Sequence, residues 1–152
     1  MSILKIRKHP DNILRKVCQP VAKIKAAEKK LLDDMLNTMR AFKGIGLAAP
    51  QVGVLYRLII VDTGKQIIKL ADPEISKTDG ASKMTEGCLS VPEAGVEIIR
   101  PVKITVSGID EEGNEVVIDA EGLTARIFQH EIDHLNGKLI IDYKGFLGDN
   151  KI

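Results

Sequence analysis

The chain has 152 residues, of which 44% are hydrophobic and 28% are charged, and this is the composition of an ordinary globular protein. Lysine and arginine together number 22 and aspartate and glutamate 21, a balance that argues against a nucleic-acid partner held by a generally basic surface. Because no apolar run could span a membrane and the N-terminus lacks the apolar segment of a signal peptide, we expect one cytoplasmic domain over 1–152 with no membrane partner.

The N-terminal third of the sequence predicts one long helix followed by a loop. After a short helical turn within 9–16, apolar residues three and four positions apart predict an amphipathic helix over 24–42. Its predicted apolar face consists of Ile24, Ala27, Leu31, Met35 and Met39. Two glycines then end the helix, and an almost wholly apolar loop is expected over 44–54.

The rest of the chain predicts strands and then a second helix. Short strands are expected at 57–62, 66–70 and 96–99, and a hairpin is expected to join 102–109 to 115–120. Helical spacing returns at Gly122 and stops at Asn136-Gly137. These elements predict an α+β fold in which a sheet lies between the long N-terminal helix and the second helix.

The sequence His130-Glu131-Ile132-Asp133-His134 falls within the second predicted helix. Residues four apart lie on one face of a helix, so both imidazoles can bind one metal ion while Glu131 reaches a water bound to it. Two such histidines could instead share a solvated face, or one could be an ordinary core residue. The apolar residues of this helix imply burial and favour the metal site.

A catalytic metal usually takes three protein ligands and leaves one position for water. Proteases with the longer HExxHxxGxxH motif take the third ligand from its last histidine, but Ile140 stands at that position here. The only carboxylates after the motif are those of Asp142 and Asp149. Cys88 is a better candidate, because the preceding glycine allows close approach and a thiolate binds iron or zinc strongly. A lone cysteine is also commonly a buried, inert thiol.

The apolar segment GIGLAAPQ at 44–51 ends in Gln51, whose amide must be hydrogen-bonded or functional if it is buried. A helix end followed by a buried loop would account for the segment without any function. An amide donor near a metal site could instead stabilise an oxyanion.

Taken together, GIGLAAPQ at 44–51, EGCLS at 86–90 and QHEIDH at 129–134 resemble the three signature motifs of the peptide deformylase family. The similarity extends from about residue 3 to residue 143. Members of this family are metal-dependent hydrolases that remove the formyl group from the N-terminal methionine of new proteins. The resemblance implies N-formylmethionyl peptides and nascent chains as substrates, and mainly antiparallel sheets packed around the HExxH helix.

The resemblance also implies roles for individual residues. One divalent transition metal would be held by Cys88, His130 and His134; family members typically use ferrous iron and accept zinc, nickel or cobalt. Glu131 would transfer protons, and Gln51 with the backbone N–H of Leu89 would form an oxyanion hole.

Substrate contacts follow from the same resemblance. Ile45 and Gly87 would hold the substrate backbone as an added strand, and Gly46 would flank the pocket. Some members bind the peptide through an arginine just after the cysteine motif; the nearest one here is Arg100, which becomes a substrate-binding candidate. The expected apolar wall for the methionine side chain is made of Ile45, Leu123 and Ile127.

Many bacterial members continue into a long C-terminal helix associated with ribosome docking, whereas the sequence here stops at Ile152, soon after the last motif. We expect a transient ribosome contact that does not use such a helix. Two other functions stay open. An HExxH peptidase would need a cleft open at both ends and a downstream third ligand. A catalytically inactive binding module would be expected to lack Glu131, Gln51 or a metal ligand, and all of these are present.

Overall fold

The computed structural model describes residues 2–147. Asp149 and both ends of the expected 1–152 domain therefore lie outside the described residues. The helices and strands in chain order are α1 (Ala26–Ala41), β1 (Gly46–Ala48), β2 (Leu58–Asp62), β3 (Ile67–Asp79), β4 (Ser82–Cys88), β5 (Val91–Arg100), β6 (Lys103–Ile109), β7 (Glu115–Glu121), α2 (Gly122–Leu135) and α3 (Ile140–Leu147). Two 3-10 turns, Asn12–Arg15 and Ala49–Val52, complete the described part of the chain.

The strands form two antiparallel sheets. Five of them make a sheet in the order β1-β2-β3-β6-β7, and β4 pairs with β5 in a separate two-stranded sheet. Helix α1 packs against β1 and β2, while α2 contacts β1, β2, β6 and β7. The expected α+β fold of antiparallel sheets packed around the HExxH helix is thereby confirmed. None of the helices in residues 2–147 is long and apolar enough to cross a membrane.

Strand β2 lies at the centre of the core because it is covered on both faces. Its residues alternate in direction, so Leu58 and Ile60 pack with α1 whereas Ile59 and Val61 pack with α2. A strand covered on both sides is a continuous apolar run, which is why this segment is recognisable from sequence. On the α2 side the largest fully buried side chain is Phe128.

The first helix differs in detail from its expected form. It begins two residues later and ends one residue earlier than the 24–42 range. Ala27 is exposed, whereas Leu32 and Thr38 are buried on the face that packs on the sheet. The Thr38 hydroxyl accepts the Leu4 N–H at 2.7 Å and donates to the Asp34 carbonyl at 2.7 Å, so a polar residue joins the N-terminal segment to the helix.

The expectation of a loop over 44–54 is wrong for most of that segment. Residues Gly46–Ala48 form β1, paired with β2, and Ala49–Val52 form a 3-10 turn. The expected short strand at 66–70 is the start of the much longer β3, and β4 and α3 were not expected at all. The end of β3 and most of β4 are exposed and polar, so they lack the apolar alternation that identifies a strand.

Gly137, which follows α2, packs against the backbone of Arg15 in the N-terminal part of the chain. Its φ of 75° is in the left-handed region, and a Cβ at this position would overlap the Arg15 carbonyl. Only glycine therefore fits this crossing of two backbone segments without rearrangement.

Gly137→Ala should lower the free energy of unfolding by about 2–5 kcal/mol, since left-handed strain and overpacking act together. Urea denaturation of both proteins measures the loss. Gly113→Ala is the matched control: its φ is 86° but nothing lies within 4 Å of the added Cβ, so it should lose only about 1–2 kcal/mol. Equal losses in the two variants would contradict the proposed clash.

Candidate metal centre and active site

Three side chains from two elements converge at the end of β4. His130 and His134 lie one turn apart on α2, and Cys88 is the last residue of β4. One ligand atom from each lies within 4.8 Å of the other two, and Cys88 Sγ is 3.3 Å from His134 Nε2. The pairing of β4 with β5 shifts register between Glu86 and Cys88, and such a bulge re-aims a side chain.

The donor set fits a transition metal. Two imidazoles and a thiolate are ligands that both zinc and iron accept. Among the residues that the structure describes, the buried side-chain atoms without a hydrogen-bond partner are Glu131 Oε1 and His134 Nδ1, and both belong to this cluster. The cluster thus has a polar atom beside its ligands that a metal-bound water would satisfy. Asp142, the described alternative ligand, instead pairs with Arg15 at 2.7 Å.

Glu86 orients one of the two imidazoles. Its buried carboxylate accepts from His130 Nδ1 at 2.9 Å, which leaves Nε2 of that ring for a metal. It also accepts from Arg100 at 2.6 and 3.0 Å and from Arg126 at 2.5 Å. Burial alone would raise the pKa of Glu86, but the hydrogen bonds from His130 and the arginines lower it to about 2. Glu86 is therefore an anion at neutral pH.

The charges at the cluster favour a cation. Burial would lower the pKa of His130, but Glu131, Cys88 and Glu86 raise it well above its usual value. The three neighbours that stabilise a proton on the imidazole would also attract a metal ion in its place. Burial, reinforced by the charge of His130, lowers the pKa of His134 well below its usual value, so this ring is neutral and has a free lone pair.

Arg100 does not lie where the sequence suggested. It is only 4% exposed and, besides Glu86, also donates to Asp133 at 2.9 Å. It does not line the cavity that opens beside Cys88 and Glu131. Alternation along β5 explains this position, since Arg100 is on the same face as the buried residues Val96 and Ile98. Its guanidinium group is bound to Glu86 and Asp133 rather than directed at the cavity, so we assign it no contact with substrate.

Gln51 lies in the 3-10 turn that follows β1 and is 2% exposed. Its Oε1 accepts the Ala48 N–H at 3.0 Å, and its Nε2 donates to Ser90 Oγ at 3.1 Å. The same Nε2 lies 3.7 Å from Cys88 Sγ. Because the carbonyl end of the amide is fixed on the backbone, its NH₂ group is directed toward the metal ligands. Leu89 is the next residue after Cys88 and lines the same cavity.

A cavity of about 480 Å³ opens beside the ligand cluster. Gly46 lines it beside Glu131, and a Cβ at this position would lie 2.5 Å from Glu131 Oε2 and 2.7 Å from Ile127. Ile45, Leu123 and Ile127 all line the cavity, as the sequence suggested for an apolar wall. Among the residues described, those lining it also include Gly87 and, unexpectedly, Met84 and Arg126.

Two strand edges border this cavity. Strand β1 is at the edge of the five-stranded sheet and β4 is one of only two strands in its sheet. The Ile45 carbonyl already accepts the Asp62 N–H at 2.9 Å, so it is directed toward β2. Backbone groups alternate in direction along a strand, so those of Gly46 point to the outer edge. Gly87 lies across the cavity within the bulge of β4.

Glu131 lies between the ligands and this edge. It is 4% exposed, and burial raises its pKa to about 7 against the opposing effect of His130. A carboxyl group with such a pKa can both accept and return a proton near neutral pH.

Comparison with known proteins gives the same family throughout. The family model described as polypeptide deformylase matches residues 3–146. The peptide deformylase of Halothermothrix orenii is 50% identical over 154 residues, covering 100% of each chain, and that of Carboxydothermus hydrogenoformans is 49% identical over 93% of each. The crystal structure of peptide deformylase from Thermotoga maritima matches with a TM-score of 0.91 and 43% identity, covering 93% of this chain and 97% of that one.

These relatives favour a deformylase over the endopeptidase and the inactive binding module. The chain belongs to the polypeptide deformylase family, the metal-dependent hydrolases that remove the N-formyl group from newly made polypeptides.

Proposed function

We propose that this chain carries out the deformylase reaction at the cluster of Cys88, His130 and His134, with Glu131 as the proton-transfer group. The observation that carries the proposal is the convergence of the three sequence motifs on one cavity. A thiol and two imidazoles lie within 4.8 Å of one another, beside a buried carboxylate and an oriented amide. The sequence alone could not establish that convergence.

The three ligands would hold one divalent transition metal, which we assign as ferrous iron, with zinc, nickel or cobalt as substitutes. When bound, such an ion lowers the pKa of water and polarises a carbonyl group. Glu86 contributes by holding His130 with its Nδ1 proton turned away from the ligand position.

Glu131 would take the proton from the attacking water and return it to the departing amine nitrogen. Its position suits both steps, because its carboxylate lies against the backbone of Gly46, at the edge where the substrate amide would lie. One group then serves as base and acid in turn.

Negative charge develops on the formyl oxygen as the carbonyl carbon becomes tetrahedral. Gln51 Nε2 and the Leu89 N–H would donate to this oxygen. The bonds of Gln51 to Ala48 and Ser90 fix the direction of its amide, so little reorganisation is needed during the reaction.

The substrate backbone would lie in an extended form between the edges of β1 and β4. Because the Ile45 carbonyl is already bonded to β2, we assign the main-chain contacts to Gly46 and Gly87. Ile45 then contributes its half-exposed side chain to the methionine pocket with Leu123 and Ile127. A cytoplasmic location, a single domain and a transient ribosome contact stay predictions from the sequence.

Cys88→Ala should abolish stoichiometric metal binding, since removing the thiolate leaves two protein ligands. Elemental analysis of anaerobically purified protein measures this. Cys18→Ala is the matched control: Cys18 is buried in the core between β2 and α2, and this variant should keep its metal. Full occupancy in Cys88→Ala together with loss in Cys18→Ala would overturn the ligand assignment.

Glu131→Gln should keep the metal and the fold but lose the proton acceptor. General acid-base groups typically contribute about 10² to 10⁴ in rate, and Glu131 serves two steps, so turnover should fall by about 10⁴ or more. Formate release from formyl-Met-Ala-Ser measures turnover. Glu112→Gln, in the exposed turn between β6 and β7, should retain wild-type activity. Near-normal turnover in Glu131→Gln would remove this residue from the reaction.

Formyl-Met peptides should react about 10 to 100 times faster than their acetyl counterparts. The reason is the close packing of Gly46 on Glu131 and Ile127, because a methyl group on the substrate carbonyl would have to displace packed atoms there whereas a hydrogen would not. The measurement compares kcat/KM for both substrates on one metal-loaded preparation. Equal values would contradict a tight formyl site, and cleavage of casein would point to an endopeptidase.

A further inference from the structure

Lys43 is the charged residue at the open rim of the substrate cavity. Among the described residues that line this cavity, the other charged side chains are those of Glu86, Arg126 and Glu131, and each is at most 6% exposed. Lys43 is exposed and comes from the turn between α1 and β1. Within residues 2–147 its ammonium group forms no salt bridge, so it is available to a ligand.

The backbone of Lys43 adds a second observation. Its φ of 59° lies in the left-handed region just after the end of α1, where glycine is the usual residue. A glycine does follow, but one position later, at Gly44. The chain therefore places a strained lysine at a position where glycine would cost less, and such strained residues cluster at binding sites.

The separation between Gly46 and Lys43 indicates which part of a substrate meets Lys43. Gly46 lies against Glu131, at the reacting end of the cavity. A peptide bound there cannot continue past Leu47 and Ala48, which are fully buried, so it must leave along Ile45 toward Lys43. Lys43 lies three residues before Gly46, in the turn that precedes β1, so its backbone is at most about 10 Å from Gly46. That limit equals the length of three extended substrate residues.

We propose that Lys43 is a specificity-determining residue that favours an acidic side chain at the third position of the formylated peptide, counting methionine as the first. This inference rests on the proposed function, because it takes Glu131 as the reacting end. One acidic residue is near the opposite rim: Glu93 is exposed and follows Pro92, which lines the cavity, although Glu93 itself does not. Lys43 would favour an acidic residue at the third position and Glu93 a basic one, so the preferred peptide shows which of the two side chains acts.

The test compares kcat/KM for formyl-Met-Ala-Asp-Ala, its Lys counterpart and its Ser counterpart, all with amidated C-termini so that no terminal carboxylate interferes. At low ionic strength the Asp peptide should be favoured over the Lys peptide by about threefold to tenfold, since exposed ion pairs are weak. The preference should disappear at about 0.5 M salt. A preference that persists unchanged at that salt concentration would overturn the electrostatic explanation.

Two substitutions of Lys43 test whether this residue causes the preference for the Asp peptide. Lys43→Glu should reverse the Asp-to-Lys ratio, and Lys43→Gly should reduce it to near one while thermal unfolding shows no loss of stability, because glycine suits the left-handed position. Lys23→Glu is the matched control, since it makes the same charge change beyond the other end of α1, about 24 Å away, and should keep the wild-type ratio.

The outcomes are distinct. If formate is released from all three peptides with equal kcat/KM, or if Lys43→Glu keeps the wild-type ratio, this inference is wrong while the proposed function stands. If the Lys peptide is favoured and Glu93→Gln removes that preference, the peptide follows the other rim and the inference is also wrong. Release of formate from none of the peptides by metal-loaded protein would instead overturn the proposed function.

Discussion

The buried carboxylate of Glu86 is the interaction on which the rest of the site depends. It joins three elements, because it belongs to β4 while its donors Arg100, Arg126 and His130 come from β5 and α2. A buried charge is tolerated only when it is paired and hydrogen-bonded, and removing one partner of such a pair typically costs about 3–5 kcal/mol. The apolar side chains of the two-stranded sheet pack on α3, whereas the ion pairs of Glu86 join the Cys88 strand to the histidine helix.

The charges of this cluster balance without drawing on the metal ligands. Arg100 and Arg126 carry two positive charges, and Glu86 and Asp133 carry two negative ones, all within direct contact of Arg100 or Glu86. If a metal ion replaced the second proton of His130, the ring would be neutral and would still donate its Nδ1 hydrogen to Glu86, whose charge the two arginines balance. A neutral ring keeps its Nε2 lone pair, which is what a metal ligand requires. The presence of two arginines at Glu86 thus favours a His130 that can bind a metal as well as the packing of β4 on α2.

Local patterns predicted the elements, and long-range pairing determined the site. The four-residue spacing of His130 and His134 suffices to place both on one face of α2. No spacing indicates that Cys88 meets them, because that contact depends on a bulge and on an ion pair between residues far apart in sequence. The polar end of β3 and the strand β4 were missed for the same reason: they are held by cross-strand hydrogen bonds rather than by an apolar face. For Arg100 a usable signal existed, since alternation with Val96 and Ile98 already places it inward.

The strand edges to which we assign the substrate are of the kind that can also cause aggregation. An unpaired strand edge readily pairs with other chains, and proteins limit this with short strands and charges. At one edge of the five-stranded sheet, β7 carries Glu115, Asp119 and Glu121. At the other edge β1 is only three residues long, and it faces β4 across a cavity rather than open solvent. In the proposed complex a single extended peptide lies between these two edges, as in recognition by strand addition. Gly46 permits this arrangement, because only its lack of a side chain lets the edge of β1 lie in contact with Glu131.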